Sequence, residues 1–294
     1  MKDEGEEVVE RGEANLLVFE NLTKKYGAII AVDNLNLKIG RSEFFGLLGP
    51  NGAGKTTTIR MLSTLTTPSS GSIYIDGLKI DRNLTGIKAR IGVVPQHMNL
   101  EGEMTAWQNL ELHGRLYGLK KEARQQRIEE LLEFTELSDR AHDLARKLSG
   151  GMKRKLMIAR ALMHRPEILL MDEPTVGLDA AVRRKMWDLM KGLNKNGLTV
   201  LLTTHYIEEA EILCGRVGLM NGGKLVELDT PANLIAKTGR FVLEYFENGE
   251  TRSRFFASRQ DAIQSAAGME GSVNIRPANL EDTFITLTNR KVGG

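Results

Sequence analysis

The stretch that decides the fold is GPNGAGKT, residues Gly49–Thr56, which matches the pattern G-x-x-x-x-G-K-[ST] in full. Glycines let the backbone curl so that successive N–H groups point inward at phosphate oxygens. In such a loop, Lys55 places an ammonium group against the β- and γ-phosphates, and the Thr56 hydroxyl ligates Mg²⁺. The loop stands between an apolar strand, Glu43–Leu48, and a helix that starts near Lys55. This context is the one that a phosphate-binding loop requires.

A second apolar strand, Ile168–Met171, is followed directly by two carboxylates, Asp172 and Glu173. Ligands of open α/β sheets bind at the carboxyl ends of the strands. Asp172 is therefore predicted to lie on the Mg²⁺ side of the site, while Glu173 points the other way and could polarise an attacking water. An acidic pair at a helix N-terminus is the common alternative, but the phosphate loop upstream favours the functional interpretation.

Helical and strand patterns alternate through the middle of the chain, which predicts an α/β core with a parallel sheet. The composition turns helical over about 97–160, and after Pro231 the pattern changes to a hairpin, a strand and short helices. We predict a disordered acidic tail over 1–14, a nucleotide-binding domain over 15–238 and a small accessory α+β domain over 239–294.

The charges nearly cancel, because 40 Lys and Arg residues stand against 38 Asp and Glu residues. This balance argues against a polyanion-binding surface over the whole molecule. A single cysteine, Cys214, cannot form an internal disulfide, which fits a reducing compartment. No apolar run approaches the roughly 18 residues that span a bilayer, and the N-terminus does not resemble a signal peptide. We therefore expect a soluble, intracellular protein, with other chains supplying any membrane span.

The stretch Leu148–Met152, with sequence LSGGM, forms a second candidate anion site. Ser149 can cap the following helix, and a helix N-terminus with two glycines attracts anions. A chain that binds one nucleotide has no obvious need of two such sites. The basic run Lys153–Lys155 follows, and a solvated helix face explains it better than nucleic-acid binding, so we expect no nucleic-acid partner.

With these motifs in view, the sequence from about Asn15 to Asp229 resembles the ATP-binding cassette (ABC) ATPases. The LSGGM pentapeptide resembles the family signature. Tyr26 matches the aromatic residue that stacks on adenine, and Gln96 matches the glutamine that links Mg²⁺ to the transport partner. Gly177–Asp179 matches the D-loop, and His205 matches the switch histidine that contacts the γ-phosphate. The resemblance implies a P-loop NTPase (RecA-like) core with an antiparallel β-subdomain and an inserted α-helical subdomain.

The resemblance also implies a set of site residues for ATP and Mg²⁺. The expected catalytic residues are Glu173, His205 and Gln96, and the expected metal ligands are Thr56, Gln96 and Asp172. The residues expected to bind ATP are Tyr26, Gly49, Pro50, Asn51, Gly52, Ala53, Gly54, Lys55, Thr56, Thr57, Ser149, Gly150, Gly151 and Asp179.

Two residues depart from the commoner family pattern, Met152 in place of glutamine and Ala180 in place of proline. Neither supplies a phosphate-binding N–H group, so hydrolysis is still expected. Met152, the stretch HYIEEAE at 205–211 and the stretch NLEDTF at 279–284 resemble the ATPases of ABC-2-type exporters for drugs, polysaccharides and nodulation factors.

The resemblance implies that two copies of the chain sandwich two ATP molecules head to tail. Each site would combine the Lys55 loop of one copy with Ser149–Gly151 of the other, which accounts for the surplus anion site. The chain would sit at the inner face of the cell membrane through separate permease subunits. A non-transport ABC protein and an importer ATPase remain alternatives. The cargo is not identified by the sequence, because the permease selects it.

Overall fold

The computed structural model describes residues 15–80, 85–247, 249–269 and 271–292, so the predicted tail over 1–14 lies outside the described residues. The strands are β1 (Asn15–Tyr26), β2 (Ile29–Gly40), β3 (Phe44–Leu48), β4 (Ser70–Ile75), β5 (Leu78–Lys79), β6 (Ile91–Val94), β7 (Ile168–Asp172), β8 (Thr199–Thr204), β9 (Arg216–Asn221), β10 (Lys224–Asp229), β11 (Phe241–Glu247), β12 (Glu250–Phe256) and β13 (Val273–Pro277). The helices are α1 (Lys55–Leu62), α2 (Thr85–Lys88), α3 (Ala106–Leu116), α4 (Lys121–Phe134), α5 (Gly150–Ala161), α6 (Ala180–Lys195), α7 (Ile207–Leu213), α8 (Pro231–Thr238), α9 (Arg259–Ala266) and α10 (Leu280–Val292).

A central sheet of six strands has the order β10-β9-β3-β8-β7-β6, and all its pairs are parallel except β10 with β9. Every residue of β3, β7 and β8 is buried, as expected of strands covered on both faces. The register pairs Leu48 with Thr204 and Asp172 with Thr203. The three central strands therefore end together at one edge of the sheet, and the predicted α/β fold with a parallel sheet is confirmed.

An antiparallel sheet of four strands, in the order β2-β1-β4-β5, covers one face of the central sheet. Phe19 and Ile75 of this sheet share a buried apolar cluster with Phe45 of the central sheet. The turn between β4 and β5 is formed by Asp76 and Gly77, and both residues have positive φ, 55° and 75°. This sheet is the antiparallel β-subdomain that the family resemblance implied.

Helices α3, α4 and α5 form the predicted helical segment, and their apolar side chains share a second buried cluster with the other face of the central sheet. Thr105 begins α3 with a reciprocal cap: its hydroxyl accepts from the Gln108 N–H at 3.1 Å, and the Gln108 side chain accepts from the Thr105 N–H at 2.8 Å. Both α3 and α4 lie within the stretch of about 97–160 whose composition predicted helices.

The C-terminal part holds an antiparallel sheet of three strands, β12-β11-β13, with α9 packed against it. Helix α10 packs against α8 and α7, and its first residue, Leu280, is fully buried. The Leu280 N–H donates to Glu211 of α7 at 2.5 Å, so this part is tied to α7. The division at 238/239 falls between α8 and β11 and stays a prediction. Within the described ranges, no helix is long and apolar enough to cross a membrane.

Candidate active site

The phosphate loop joins β3 to α1 and requires glycine at two positions for steric reasons. A Cβ atom on Gly49 would lie 2.3 Å from the Met220 carbonyl oxygen, and one on Gly54 would lie 2.5 Å from the Ala31 carbonyl oxygen. Gly54 also has φ of 104°, which side chains disfavour. The loop is thus seated between β9 and β2. Its crest, residues 50–52, is exposed, while Ala53–Lys55 is buried.

The Lys55 ammonium lies inside the curl of the loop and is almost completely buried. It donates to the carbonyl oxygens of Gly49 at 2.7 Å and Pro50 at 3.2 Å, and lies 3.6 Å from Glu173 Oε1. Burial lowers the pKa of Lys55, and the nearby carboxylates of Glu173 and Asp172 oppose that shift. A bound polyphosphate would supply this cation with further negative partners.

The first turn of α1 meets the end of β7 at Thr56, whose hydroxyl donates to Asp172 Oδ1 at 3.1 Å. The Thr203 hydroxyl donates to the same oxygen at 2.5 Å. The described residues hold no group of three or more His, Cys, Asp or Glu side chains arranged for a metal ion. The Thr56 hydroxyl and the Asp172 carboxylate fit Mg²⁺, which binds nucleotide sites through few protein ligands and keeps waters and phosphate oxygens as its other ligands. Thr57 is half-buried in the same turn.

Glu173 faces His205, a contact that was not predicted from the sequence. His205 Nδ1 lies 2.7 Å from Glu173 Oε2, and the Glu173 N–H donates to the Thr203 carbonyl at 3.0 Å. Glu173 has φ of 52°, a left-handed conformation that costs roughly 1–2 kcal/mol for a residue with a side chain. Such strain is typical of functional sites. The Glu173 carboxylate therefore lies between Lys55 and His205.

Gln96 follows β6, and a residue of α5 holds its main chain. Arg154 donates to the carbonyl oxygens of Pro95 at 2.9 Å and Gln96 at 3.0 Å, and only 3% of it is exposed. The prediction of a solvated basic face is therefore wrong for Arg154, whose burial lowers its pKa. Lys155 instead pairs with Glu136. The sequence gave no indication that Arg154 is buried, because a Lys-Arg-Lys run is equally compatible with a helix face exposed to solvent.

The remaining predicted residues lie apart from this cluster. Ser149 caps α5 by accepting from the Met152 N–H at 3.3 Å, and both Ser149 and Gly150 are exposed. None of the hydrogen bonds or ion pairs found among the described residues joins Ser149–Gly151 to the Lys55 loop. Asp179 caps α6 through the Val182 N–H at 2.9 Å. Tyr26 is exposed, with the Lys24 ammonium 4.9 Å from its ring centroid.

Two buried polar residues beside the site were missed from the sequence. Thr203 shares Asp172 with Thr56, and Glu209 of α7 is fully buried. Both occur in stretches whose periodicity predicts only a strand and a helix, so pattern alone did not single them out. The signal available for Glu209 was its place on the apolar face of α7, beside Ala210 and Leu213.

Comparison with known proteins finds relatives that are ATP-binding proteins. The family described as "ABC transporter" matches residues 32–176. The Nod factor export ATP-binding protein I of Cupriavidus metallidurans is 42% identical, over 94% of this chain and 98% of that protein. The linearmycin resistance ATP-binding protein LnrL of Bacillus subtilis is 43% identical, over 76% of this chain and 72% of that protein.

Solved structures agree with this assignment. A dimeric ATP-binding cassette in a post-hydrolysis state with ADP and Pi has a TM-score of 0.66 and 35% identity, over 73% of this chain and 98% of that chain. The cbiO1 protein of Clostridium perfringens, part of the ABC transporter complex cbiONQ, has a TM-score of 0.71 and 28% identity, over 76% and 92%. The fold and the Lys55–Glu173 cluster define a P-loop ATPase. The chain belongs to the ABC transporter family, in which it is an ATP-binding subunit that hydrolyses ATP.

Proposed function

We propose that this chain is the ATPase subunit of an exporter and that it drives the movement of cargo through separate permease subunits. The match to an export ATP-binding protein over 98% of that protein's length supports export. The chain would bind the permease at the cytoplasmic face of the membrane through the helical segment that contains α3, α4 and α5. Arg154 supports such coupling, because it joins α5 to the main chain of Gln96.

The proposed hydrolytic unit is a pair of chains, and one structural observation supports this proposal. Ser149–Gly151 offers a capped helix N-terminus to solvent, without a bond to the Lys55 loop of its own chain. A helix N-terminus of this kind binds anions. In a head-to-tail pair, it would meet the γ-phosphate held by the partner's loop. The dimeric cassette structures among the relatives support this arrangement.

The chemistry follows from the positions of the buried groups. Lys55 would bind the β- and γ-phosphates, and Glu173 would take a proton from the attacking water. The Glu173 Oε2 atom has no hydrogen-bond partner among the described residues, although His205 Nδ1 lies 2.7 Å from it. Thr56, Asp172 and Gln96 would hold Mg²⁺, which when bound offsets the negative charge of the phosphates. Exposed Tyr26 is available to stack on adenine. Positioning and charge stabilisation are the main needs of phosphoryl transfer.

The proposed transporter role is tested by expressing a tagged copy of this chain with and without the membrane protein encoded beside its gene. We expect the chain in the membrane fraction only when a permease of about six spans, each of roughly 20 apolar residues, is present. A neighbouring gene without such spans, or membrane binding that does not depend on it, would contradict the proposed transporter role.

Mixing two inactive variants is expected to restore activity, because each site would be shared between two chains. Lys55→Ala loses the loop cation, and Ser149→Arg blocks the helix N-terminus. A hybrid pair has one intact site, so an equimolar mixture should reach about a quarter of the wild-type steady-state ATPase rate if sites act independently.

The matched control replaces the Ser149→Arg chain by a chain that carries both substitutions, because such a hybrid has no intact site. No restored activity across a wide range of protein concentrations would count against the shared site.

A further inference from the structure

Glu209 is a buried acidic residue beside the ATPase site to which the proposed chemistry gives no role. Its side chain is 0% exposed in the middle of α7. The Oε1 atom accepts two hydrogen bonds, from the Thr175 hydroxyl at 2.8 Å and from the Trp187 indole N–H at 3.1 Å. Both donors are also buried, Thr175 at 0% and Trp187 at 4% exposure. One carboxyl oxygen thus joins three separate segments of the chain.

Each of the three segments carries a predicted site residue. Thr175 lies two residues after Glu173, and Trp187 lies on α6, the helix that Asp179 caps. Glu209 itself lies four residues after His205. The Glu173–His205 distance of 2.7 Å depends on the relative position of two backbones. The bond from the Glu173 N–H to the Thr203 carbonyl joins them directly, and Glu209 joins them a second time through Thr175. A misplacement of about 1 Å at a reacting group costs up to 10²-fold in rate.

The surroundings of Glu209 favour the neutral carboxyl group. None of the described basic side chains offsets its charge. Burial raises the pKa of Glu209, the nearby Glu173 raises it further, and the hydroxyls of Thr204 and Thr175 and the Trp187 indole oppose the shift. Glutamine is a close substitute for Glu209, because it keeps an acceptor oxygen and a similar shape.

We propose that Glu209 is a positioning residue for ATP hydrolysis, whose Oε1 atom holds the Thr175 segment, α6 and α7 together so that Glu173 and His205 stay in contact. The proposal rests on the proposed catalytic roles of Glu173 and His205. Glu209 does not reach the nucleotide loop, so its replacement should change turnover rather than ATP affinity.

The test compares variants of the full chain by kcat, by KM for ATP and by Kd for a fluorescent ATP analogue, with kcat expressed per folded molecule. Glu209→Ala should lower kcat about tenfold or more, with Kd and KM within about twofold of wild type. Glu209→Gln should stay within about threefold of wild-type kcat, because it keeps the acceptor. Glu208→Ala, an exposed neighbour on α7, is the matched control and should behave as wild type.

Thr175→Val removes one donor while keeping the shape of the side chain, so it tests the same contact if Glu209→Ala does not fold. It should lower kcat severalfold at unchanged Kd. Wild-type kcat in either Glu209→Ala or Thr175→Val, or a loss in Glu209→Gln as large as in Glu209→Ala, would overturn the proposal. Glu173→Gln is measured alongside, because a fully active Glu173→Gln would show that the proposed catalytic role, rather than the positioning role, has failed.

Discussion

Replacing Lys55 by alanine is expected to abolish tight binding of ATP. The structure places the Lys55 ammonium inside the phosphate loop, bonded to two loop carbonyls. Alanine removes the charge that would contact both the β- and γ-phosphates. Because a hydrogen bond to a charged group contributes about 1.5–3 kcal/mol, loss of two such contacts should weaken binding at least about a hundredfold. Isothermal titration calorimetry with ATP measures this directly.

The control for this experiment is Lys121→Ala, which removes an exposed lysine from the start of α4 without touching the loop. Its affinity should match that of wild type. The Lys55→Ala chain should remain folded, since the deleted ammonium is a buried charge whose desolvation already lowers the pKa of Lys55. A folded Lys55→Ala protein with wild-type affinity would refute the phosphate-loop assignment.

The core of the fold was predictable because local patterns and tertiary packing agree there. Strands β3, β7 and β8 are buried along their whole length, and the apolar runs of β3 and β7 were visible in the sequence. Strand β1 is harder to predict from the sequence. Its pairing with β2 shifts register between Phe19 and Leu22 and again between Leu22 and Lys24, which breaks the alternation on which strand prediction depends.

Strand β10 and helix α8 were not predicted, and both lie at the margin of the core. Most residues of β10 are half-buried on an edge strand, so its pattern lacks a clear apolar face. Helix α8 has eight residues and a single fully buried side chain, Leu234. Its start did carry a readable signal, because Thr230 caps it by accepting from the Asn233 N–H at 3.2 Å and proline follows at the first position.

The candidate site shows a similar division between motif and environment. Motif spacing was enough to nominate Lys55, Asp172 and Glu173, because each follows directly from a strand end or a loop. Arg154 and Glu209 were not predicted as site residues, because their roles depend on what packs against them. Arg154 donates to two carbonyl oxygens, and Glu209 accepts from two side-chain donors. Without knowledge of these tertiary neighbours, neither residue can be distinguished from a solvated one.

Replacing Glu173 by glutamine is expected to stop hydrolysis while leaving ATP binding intact. The amide has nearly the same size but cannot accept the proton of the attacking water, and loss of a general base typically costs on the order of 10²–10⁴ in rate. Lys55, Thr56 and Asp172 remain in place. The substitution also removes a carboxylate that lies 3.6 Å from the Lys55 ammonium, so the phosphates lose a competitor for that cation.

Because Glu173→Gln should bind ATP without hydrolysing it, the ATP-bound dimer should accumulate. In the wild type this dimer is short-lived. Removing a negative charge near the γ-phosphate favours the same closed state. Size-exclusion chromatography with Mg²⁺-ATP should therefore show Glu173→Gln as a dimer, with Lys55→Ala as the monomeric control and the exposed Glu208→Gln as the matched charge control. If Glu173→Gln hydrolyses ATP at the wild-type rate, Glu173 is not the base. His205, whose Nδ1 lies 2.7 Å from Glu173 Oε2, then becomes the next residue to test.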